Sequence, residues 1–123
     1  MTRDPLAPPA PVWSSTAGAI LDFYGVVRGL EGENAIAGLE YESYLAMAES
    51  QLRKIAEETL IHFALEDVTL IHRVGFVAAG EPSLFLRVTA GHREEAFAGS
   101  REIIERLKRE VPIWKNPIQS QAL

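Results

Sequence analysis

The succession of apolar patterns predicts an α+β domain in which two main helices pack on a mainly antiparallel sheet. Two extended apolar runs come first, and a stretch with apolar side chains at three- and four-residue steps follows them. The same succession then repeats, which gives the order β-β-α-β-β-α. Glycine-containing turns separate the runs of each pair, and this spacing is typical of antiparallel hairpins.

The first half is predicted to be a hairpin followed by a helix. Residues 18–27 are apolar and rich in residues that favour strands. The turn at 29–34 contains two glycines and leads into a second strand over 35–42, so we expect these two strands to pair. From residue 43 the spacing becomes helical, and the helix is expected to run to about residue 62.

The second half begins with strands predicted at 68–74 and 84–89, with a turn at 79–82 between them. The strand at 68–74 has apolar residues on both faces, so we expect it to be central or covered on both sides. The pair His72-Arg73 inside it has two interpretations of equal weight. One is a face that meets a partner subunit or forms a polar seam, and the other is a sheet edge that meets water.

The second helix is predicted over 93–110, and it places Lys108 in its last turn at the border of the apolar stripe. A partly buried stem there would make the amine more nucleophilic through desolvation. Pro112 ends the helix, and the chain must extend again before it presents Lys115. Both amines could face one pocket, although each lysine alone is more simply a solvated charge. The stripe itself consists of Ala96, Ile103, Leu107 and Val111, widened by Phe97 and Ile104.

A second group of cationic candidates lies at element ends. His92 and Arg93 stand at the start of the second helix, where unpaired N–H groups and a partial positive charge favour an anion. Arg28 follows the first strand beside the glycine turn. The alternative for Arg28 is a solvated charge at a strand end, and taken alone that alternative is favoured.

Composition limits the class of function. The 123 residues suit one domain, and a net charge of −5 argues against a nucleic-acid or anionic-membrane surface. The absence of cysteine excludes disulfides, thiolate metal sites and a cysteine nucleophile. The three histidines lack zinc-site spacing, so we expect no metal. We expect residues 1–12, rich in proline and alanine, to be a flexible tail, and 13–123 to form a single domain. Because neither a membrane-spanning run nor a signal-peptide pattern is present, we expect a cytoplasmic protein.

Six stretches in family order give the chain a specific resemblance over about residues 17–115. Taken together they resemble the large, catalytic subunit of molybdopterin synthase. The stretches are Gly18-Ala-Ile-Leu-Asp-Phe-Tyr-Gly-Val-Val-Arg28, Leu39-Glu-Tyr-Glu-Ser-Tyr44 with Met47-Ala48, Ile71-His-Arg-Val-Gly75, Gly80-Glu81, Gly91-His-Arg-Glu-Glu-Ala-Phe97, and Leu107-Lys108 with Val111-Pro-Ile-Trp-Lys115.

The resemblance implies an α/β-hammerhead-like α+β fold and a homodimer that binds two small ubiquitin-like subunits, giving a heterotetramer. It also implies that sulfur passes from the thiocarboxylated tail of the small subunit to cyclic pyranopterin monophosphate, which forms the dithiolene of molybdopterin. No cofactor is implied, because the partner carries the sulfur. By position, Lys108 and Lys115 match the two catalytic lysines of the family. Arg28, His92 and Arg93 match its substrate-binding residues, and Phe23 matches a pocket aromatic.

Two departures from the family pattern leave an alternative. Asn116 and Pro117 stand where family members carry another basic residue and then Glu, and the sequence ends at Leu123, before the family's further arginine. The alternative is a catalytically weak relative that acts as a binding module for the small subunit or for a pterin phosphate. A plain dimeric α+β scaffold with solvated lysines is a third interpretation.

Overall fold

The structure is a computed structural model that describes residues 1–120. Within this range the chain forms seven strands and two helices, and the predicted α+β class is confirmed. The elements are β1 (Ala19–Val26), β2 (Leu30–Glu31), β3 (Asn34–Ser43), α1 (Leu45–His62), β4 (Leu65–His72), β5 (Gly75–Ala78), β6 (Pro82–Ala90), α2 (Arg93–Glu110) and β7 (Ile113–Gln119). Both helices lie where the apolar spacing predicts them. Neither is long and apolar enough to cross a membrane.

The strands form two antiparallel sheets. In the first, β6 is central and lies between β1 and β4. In the second, β3 pairs with β2, β5 and β7. In each sheet one strand pairs with all the others. These two strands, β6 and β3, come from different halves of the chain.

The predicted pairing of the first two strands is wrong. The strand at 18–27 corresponds to β1, which pairs with β6, whereas the strand at 35–42 corresponds to β3 in the other sheet. The glycine turn does form a tight hairpin, but its first arm is the short β2, and Gly32 has a φ of 62°. A local apolar pattern identifies a strand without specifying the distant strand that pairs with it.

The predicted pairing of the strands at 68–74 and 84–89 is confirmed, but the direct turn predicted between them is wrong. Strands β4 and β6 pair antiparallel, yet β5 lies between them in sequence and joins the other sheet. Strand β4 ends at His72 and lies at the sheet edge, so it is not central. Residues 68–71 are half-buried on both faces, which agrees with the other part of the expectation. Strand β7 continues the predicted extension after Pro112 as far as Gln119.

The helices and the first sheet enclose the main hydrophobic core. Helix α1 contributes Ile55 and α2 contributes Ile103, both fully buried, against Leu86 and Val88 of β6. Burying each such side chain contributes roughly 1.5–3 kcal/mol, so this layer supplies most of the hydrophobic stabilisation. Phe97 was expected in the stripe, but it is 59% exposed because it lies on the outer face of α2. A smaller hydrophobic cluster around Val77 lies in the second sheet.

The N-terminal segment contacts the domain at several points. The backbone of Thr2 bridges the chain beside Arg73, with its N–H donating to the carbonyl of His72 at 2.9 Å. The carbonyl of Pro9 accepts a hydrogen bond from Arg87 Nη1 at 2.6 Å. The flexibility of residues 1–12, and the division of the chain at residue 13, stay predictions.

Candidate functional site

A cavity of about 470 Å3 lies where the two sheets meet the C-terminal end of α2. Six of its lining residues carry polar, cationic or aromatic side chains, and apolar residues of β1, β6, α2 and the chain that follows α2 complete the wall. These six are Phe23, Tyr41, His72, Ser83, Lys108 and Lys115. They come from β1, β3, β4, β6, α2 and β7, so only the folded chain assembles them.

The structure brings Lys108 and Lys115 to this cavity from separate elements. Lys108 lies in the last turn of α2, which ends because Val111 takes an extended conformation before Pro112. Strand β7 then runs antiparallel to β3 and places Lys115 opposite Tyr41. The sequence expectation that both amines could face one pocket agrees with this arrangement. Their chemical roles stay a prediction.

Lys108 as a whole residue is exposed, so the expected partial burial extends at most to its aliphatic stem. Lys108 and Lys115 are both exposed, and both line the cavity, so they form its cationic rim. A pair of ammonium groups attracts anions through charge and hydrogen bonding. The rim is therefore suited to an anionic ligand.

Phe23 is a further residue of the cavity lining. Its side chain is 38% exposed and lines the cavity from β1. The ring gives the cavity an aromatic wall against which a flat ligand can pack. The combination of an aromatic wall with cationic groups at the rim is typical of sites for flat anionic molecules.

The other three predicted residues lie outside the cavity of the same chain. His92 and Arg93 stand at the first turn of α2, with side chains 80% and 81% exposed. Fifteen residues of helix separate Arg93 from Lys108, which is roughly 22 Å. Arg28 is exposed just after β1 and is not part of the cavity lining. Within a single chain, three of the six predicted residues therefore line the cavity and the other three lie outside it.

His92 and Arg93 make only weak contacts within the chain. His92 Nδ1 lies 3.7 Å from Glu95 Oε2, and Arg93 Nε lies 3.8 Å from Glu94 Oε1. His92 is the N-cap residue of α2, and its side chain makes no capping hydrogen bond. Exposed pairs of this kind contribute little to stability, so both side chains can turn toward another molecule.

The sequence pointed to His72 but not to Tyr41 or Ser83, the other buried polar residues of the inner cavity wall. Tyr41 Oη and Ser83 Oγ lie 3.0 Å apart, and the Tyr41 ring stands edge-on to the His72 imidazole at 5.2 Å. His72 is 5% exposed, so the polar-seam interpretation of His72-Arg73 agrees with the structure and the water-facing one does not. The sequence signal for a buried polar group here was a histidine within an otherwise apolar run.

Burial of the imidazole lowers the pKa of His72. The hydrogen bond to the Arg73 carbonyl acts in the opposite direction, while the N-terminal ammonium and Lys115 add smaller contributions that also lower the pKa. The ring is therefore neutral at pH 7. Among residues 1–120, no group of three or more His, Asp or Glu side chains could hold a metal ion.

Comparison with known proteins gives consistent matches at the level of family, sequence and structure. The family model described as MoaE protein matches residues 1–110. The chain is 38% identical over 102 residues to the molybdopterin synthase catalytic subunit of Thermoplasma volcanium, which is 83% of this chain and 74% of that protein. It is 37% identical over 112 residues to the human protein of the same name, but there it spans only 59% of the relative's length.

Solved structures match the same fold. The crystal structure of molybdopterin synthase from Staphylococcus aureus superimposes with a TM-score of 0.82 at 31% identity, covering 89% of this chain and 80% of that one. A complex of subunits 1 and 2 of the molybdopterin-converting factor from Helicobacter pylori matches with a TM-score of 0.69 at 25% identity, covering 86% and 73%. Since the family model spans most of the chain and relatives exceed 30% identity, the chain belongs to the MoaE family.

Proposed function

We propose that this chain is the catalytic subunit of a molybdopterin synthase, a sulfurtransferase of molybdenum cofactor biosynthesis. It transfers sulfur from the thiocarboxylated C-terminus of a small ubiquitin-like subunit to cyclic pyranopterin monophosphate. The observation that carries the proposal is the convergence of Lys108 and Lys115 on one cavity. Family membership supplies the chemistry that this pair of amines serves.

The sulfur arrives on a partner in this proposal. The chain contains no cysteine, so it has no thiol to carry a persulfide, and no cofactor of its own is required. The solved complex of the two Helicobacter pylori subunits supports a small subunit as that partner. The thiocarboxylate of its tail is an anion, and the two exposed ammonium groups at the cavity rim are suited to receive it.

Each of the two lysines has its own role in the proposed reaction. Lys108 positions the thiocarboxylate and stabilises the negative charge that develops during sulfur transfer. Lys115 acts as general acid and base, or as a transient nucleophile, while the phosphate ring opens and sulfur adds. Phe23 packs against the flat pterin ring system.

A homodimer completes the site in this proposal. Arg28, His92 and Arg93 are exposed and lie outside the cavity of their own chain. A second copy can present these residues to the cavity, where Arg28 and Arg93 bind the phosphate and His92 donates a hydrogen bond to it. Two small subunits on this dimer give a heterotetramer, and we expect it in the cytoplasm.

The role of the lysines is tested by product formation with thiocarboxylated small subunit and substrate. We expect Lys115→Ala to lower the rate at least about 100-fold, because it removes an acid–base group. We expect Lys108→Ala to lower it about as strongly through the loss of charge stabilisation. Lys54→Ala is the matched control, since Lys54 is an exposed lysine of α1 outside the cavity. Turnover of Lys115→Ala at the rate of the Lys54→Ala control would contradict the assignment.

The second candidate function is a binding module for the small subunit or a pterin phosphate. The observation that favours it is the substitution pattern of β7, where Asn116 and Pro117 follow Lys115 without a further basic residue. Wild-type protein that binds the small subunit but forms no dithiolene product would establish this candidate in place of the enzyme.

A further inference from the structure

His72, a residue of the inner cavity wall, has no role in the proposed catalysis. His72 lines the cavity, and its Nδ1 lies 2.6 Å from the backbone carbonyl oxygen of Arg73. A carbonyl oxygen only accepts hydrogen bonds, so Nδ1 must carry the proton. In a neutral imidazole the other nitrogen, Nε2, is then a hydrogen-bond acceptor.

The surroundings hold the ring in this tautomer. Burial keeps the imidazole neutral, as the lowered pKa of His72 indicates. The edge-on contact with the Tyr41 ring fixes its orientation, and the Tyr41 hydroxyl is itself held by Ser83 at 3.0 Å. Among residues 1–120, no side chain or backbone group forms a hydrogen bond with His72 Nε2. An unused acceptor on a residue that lines the cavity is a candidate site for a donor on the ligand.

We propose that His72 Nε2 is a specificity-determining acceptor that binds an N–H donor of the pterin ring, while the anionic groups of the substrate stay at the lysine rim. This inference rests on the proposed function and adds the orientation of the substrate. The volume of about 470 Å3 is in the range of small-ligand cavities. Phe23 on the same cavity offers a face for a flat ring. A ring N–H therefore points inward to a neutral acceptor, and the phosphate points outward to cations.

Two substitutions separate the acceptor from its structural support. His72→Asn places an amide N–H near the position of Nδ1, so it retains the hydrogen bond to Arg73 and removes the acceptor at Nε2. His72→Gln reaches the position of Nε2 with an amide oxygen and restores an acceptor there. His62→Asn is the matched control, because His62 is an exposed histidine at the end of α1 and outside this cavity.

The test measures the binding of two probes to the full chain by calorimetry. Neopterin is a pterin without phosphate, and inorganic phosphate is the anionic probe. We expect His72→Asn to weaken neopterin binding about threefold to tenfold, the range for one neutral hydrogen bond, with phosphate binding unchanged. His72→Gln and His62→Asn should bind neopterin within about twofold of wild type. In wild type, the ¹⁵N resonance of His72 Nε2 should shift on addition of neopterin and not on addition of phosphate.

Four results would overturn the inference, and the first three concern single measurements. They are wild-type protein that does not bind neopterin, a His72→Asn variant that binds it normally, and a variant that loses small-subunit binding in place of neopterin binding. Equal losses for both probes in His72→Asn and His72→Gln would show a structural role and overturn it as well. Failure of the proposed function is distinct, since wild-type protein would then form no dithiolene product even while neopterin binding depended on His72.

Discussion

Arg87 shows at the scale of single residues how this fold accommodates charge inside a sheet. It lies in the central strand β6, is 8% exposed, and faces Asp22 directly across the pair with β1. Its Nε donates to Asp22 Oδ1 at 2.7 Å and its Nη2 donates to Oδ2 at 2.8 Å. The bidentate hydrogen bonds from Arg87 lower the pKa of Asp22, so the pair stays ionised at neutral pH.

Asp22→Asn tests this pair. The substitution removes the negative charge and one of the two acceptor oxygens, which leaves a buried guanidinium incompletely paired. We expect the free energy of unfolding to fall by about 1–3 kcal/mol in urea denaturation. Asp67→Asn is the matched control, because Asp67 is an exposed aspartate on β4, and it should change the value by less than about 0.5 kcal/mol. Equal effects of the two substitutions would contradict the importance of the pair.

His72 should make stability depend on pH. Its folded-state pKa is lowered, so below the ordinary value of 6.5 the unfolded chain binds a proton that the folded chain does not. The free energy of unfolding should therefore fall as the pH decreases from 6.5 toward the folded pKa, by at most about 1.4 kcal/mol per pH unit. Urea denaturation at several pH values between about 7.5 and 5.5 measures this slope, a range above that in which carboxylates titrate.

His72→Asn should remove the slope, because asparagine does not titrate in this range. His62→Asn, a change to an exposed histidine, should retain it. A slope that persists in His72→Asn would assign the pH dependence to another group.

Strand β3 shows at the scale of elements how one residue permits two strands to approach. It pairs with β5 on one side and with β7 on the other, and Gly38 faces Ala78 and Ile118 in these pairs. A Cβ atom at Gly38 would clash with the carbonyl oxygen of Val77 and would come within 2.7 Å of the Phe76 ring. The absence of a side chain is therefore what lets β5 lie against β3.

Gly38→Ala should disturb the second sheet. Because the obstacle includes backbone, the strands must separate, and we expect a loss of about 2–4 kcal/mol in the free energy of unfolding. The matched control is Gly29→Ala, where the added methyl group would meet only the Ala79 side chain at 3.9 Å. The control should be neutral or stabilising by up to about 1 kcal/mol. A neutral result for Gly38→Ala in thermal and urea denaturation would contradict the packing of β5 on β3.

At the scale of the whole molecule, the predicted functional residues form two groups that one chain does not bring together. Lys108 and Lys115 line the cavity, while His92 and Arg93 lie at the other end of α2. Under the proposed homodimer each complete site uses lysines of one copy and the arginine and histidine of the other. Symmetry then gives two such sites per dimer.

Mixing two inactive variants tests the shared site. Lys115→Ala and Arg93→Ala should each be inactive, but a dimer with one copy of each has one site free of both substitutions. Random exchange makes half of the dimers mixed, so we expect about a quarter of the wild-type rate per site. The rate is measured as dithiolene formation after the variants are unfolded and refolded together. If all catalytic residues act within one chain, the mixture will remain inactive.

Several features of the fold were predictable from local sequence because their causes are local. Helical spacing of apolar residues located α1 and α2, and Pro112 located the end of α2, since both effects act within a few residues. The pairing of strands was not predictable in the same way. Strand β1 joins β6 more than fifty residues away, and β3 joins β7 at the opposite end of the chain. Such pairs depend on which apolar faces pack together, which no single strand specifies.

By itself, the sequence determined the class of fold, the helices and the absence of a thiol, because composition and short-range spacing suffice for each. The assignment of Lys108 and Lys115 as catalytic residues comes from the family resemblance and stays a prediction. Only the tertiary structure decided that Lys108 and Lys115 share a cavity and that His92, Arg93 and Arg28 lie outside it. It also decided that the inner wall contains a neutral His72. These features require elements from distant parts of the chain to pack together, and burial, which changes the chemistry of a side chain, exists only after that packing.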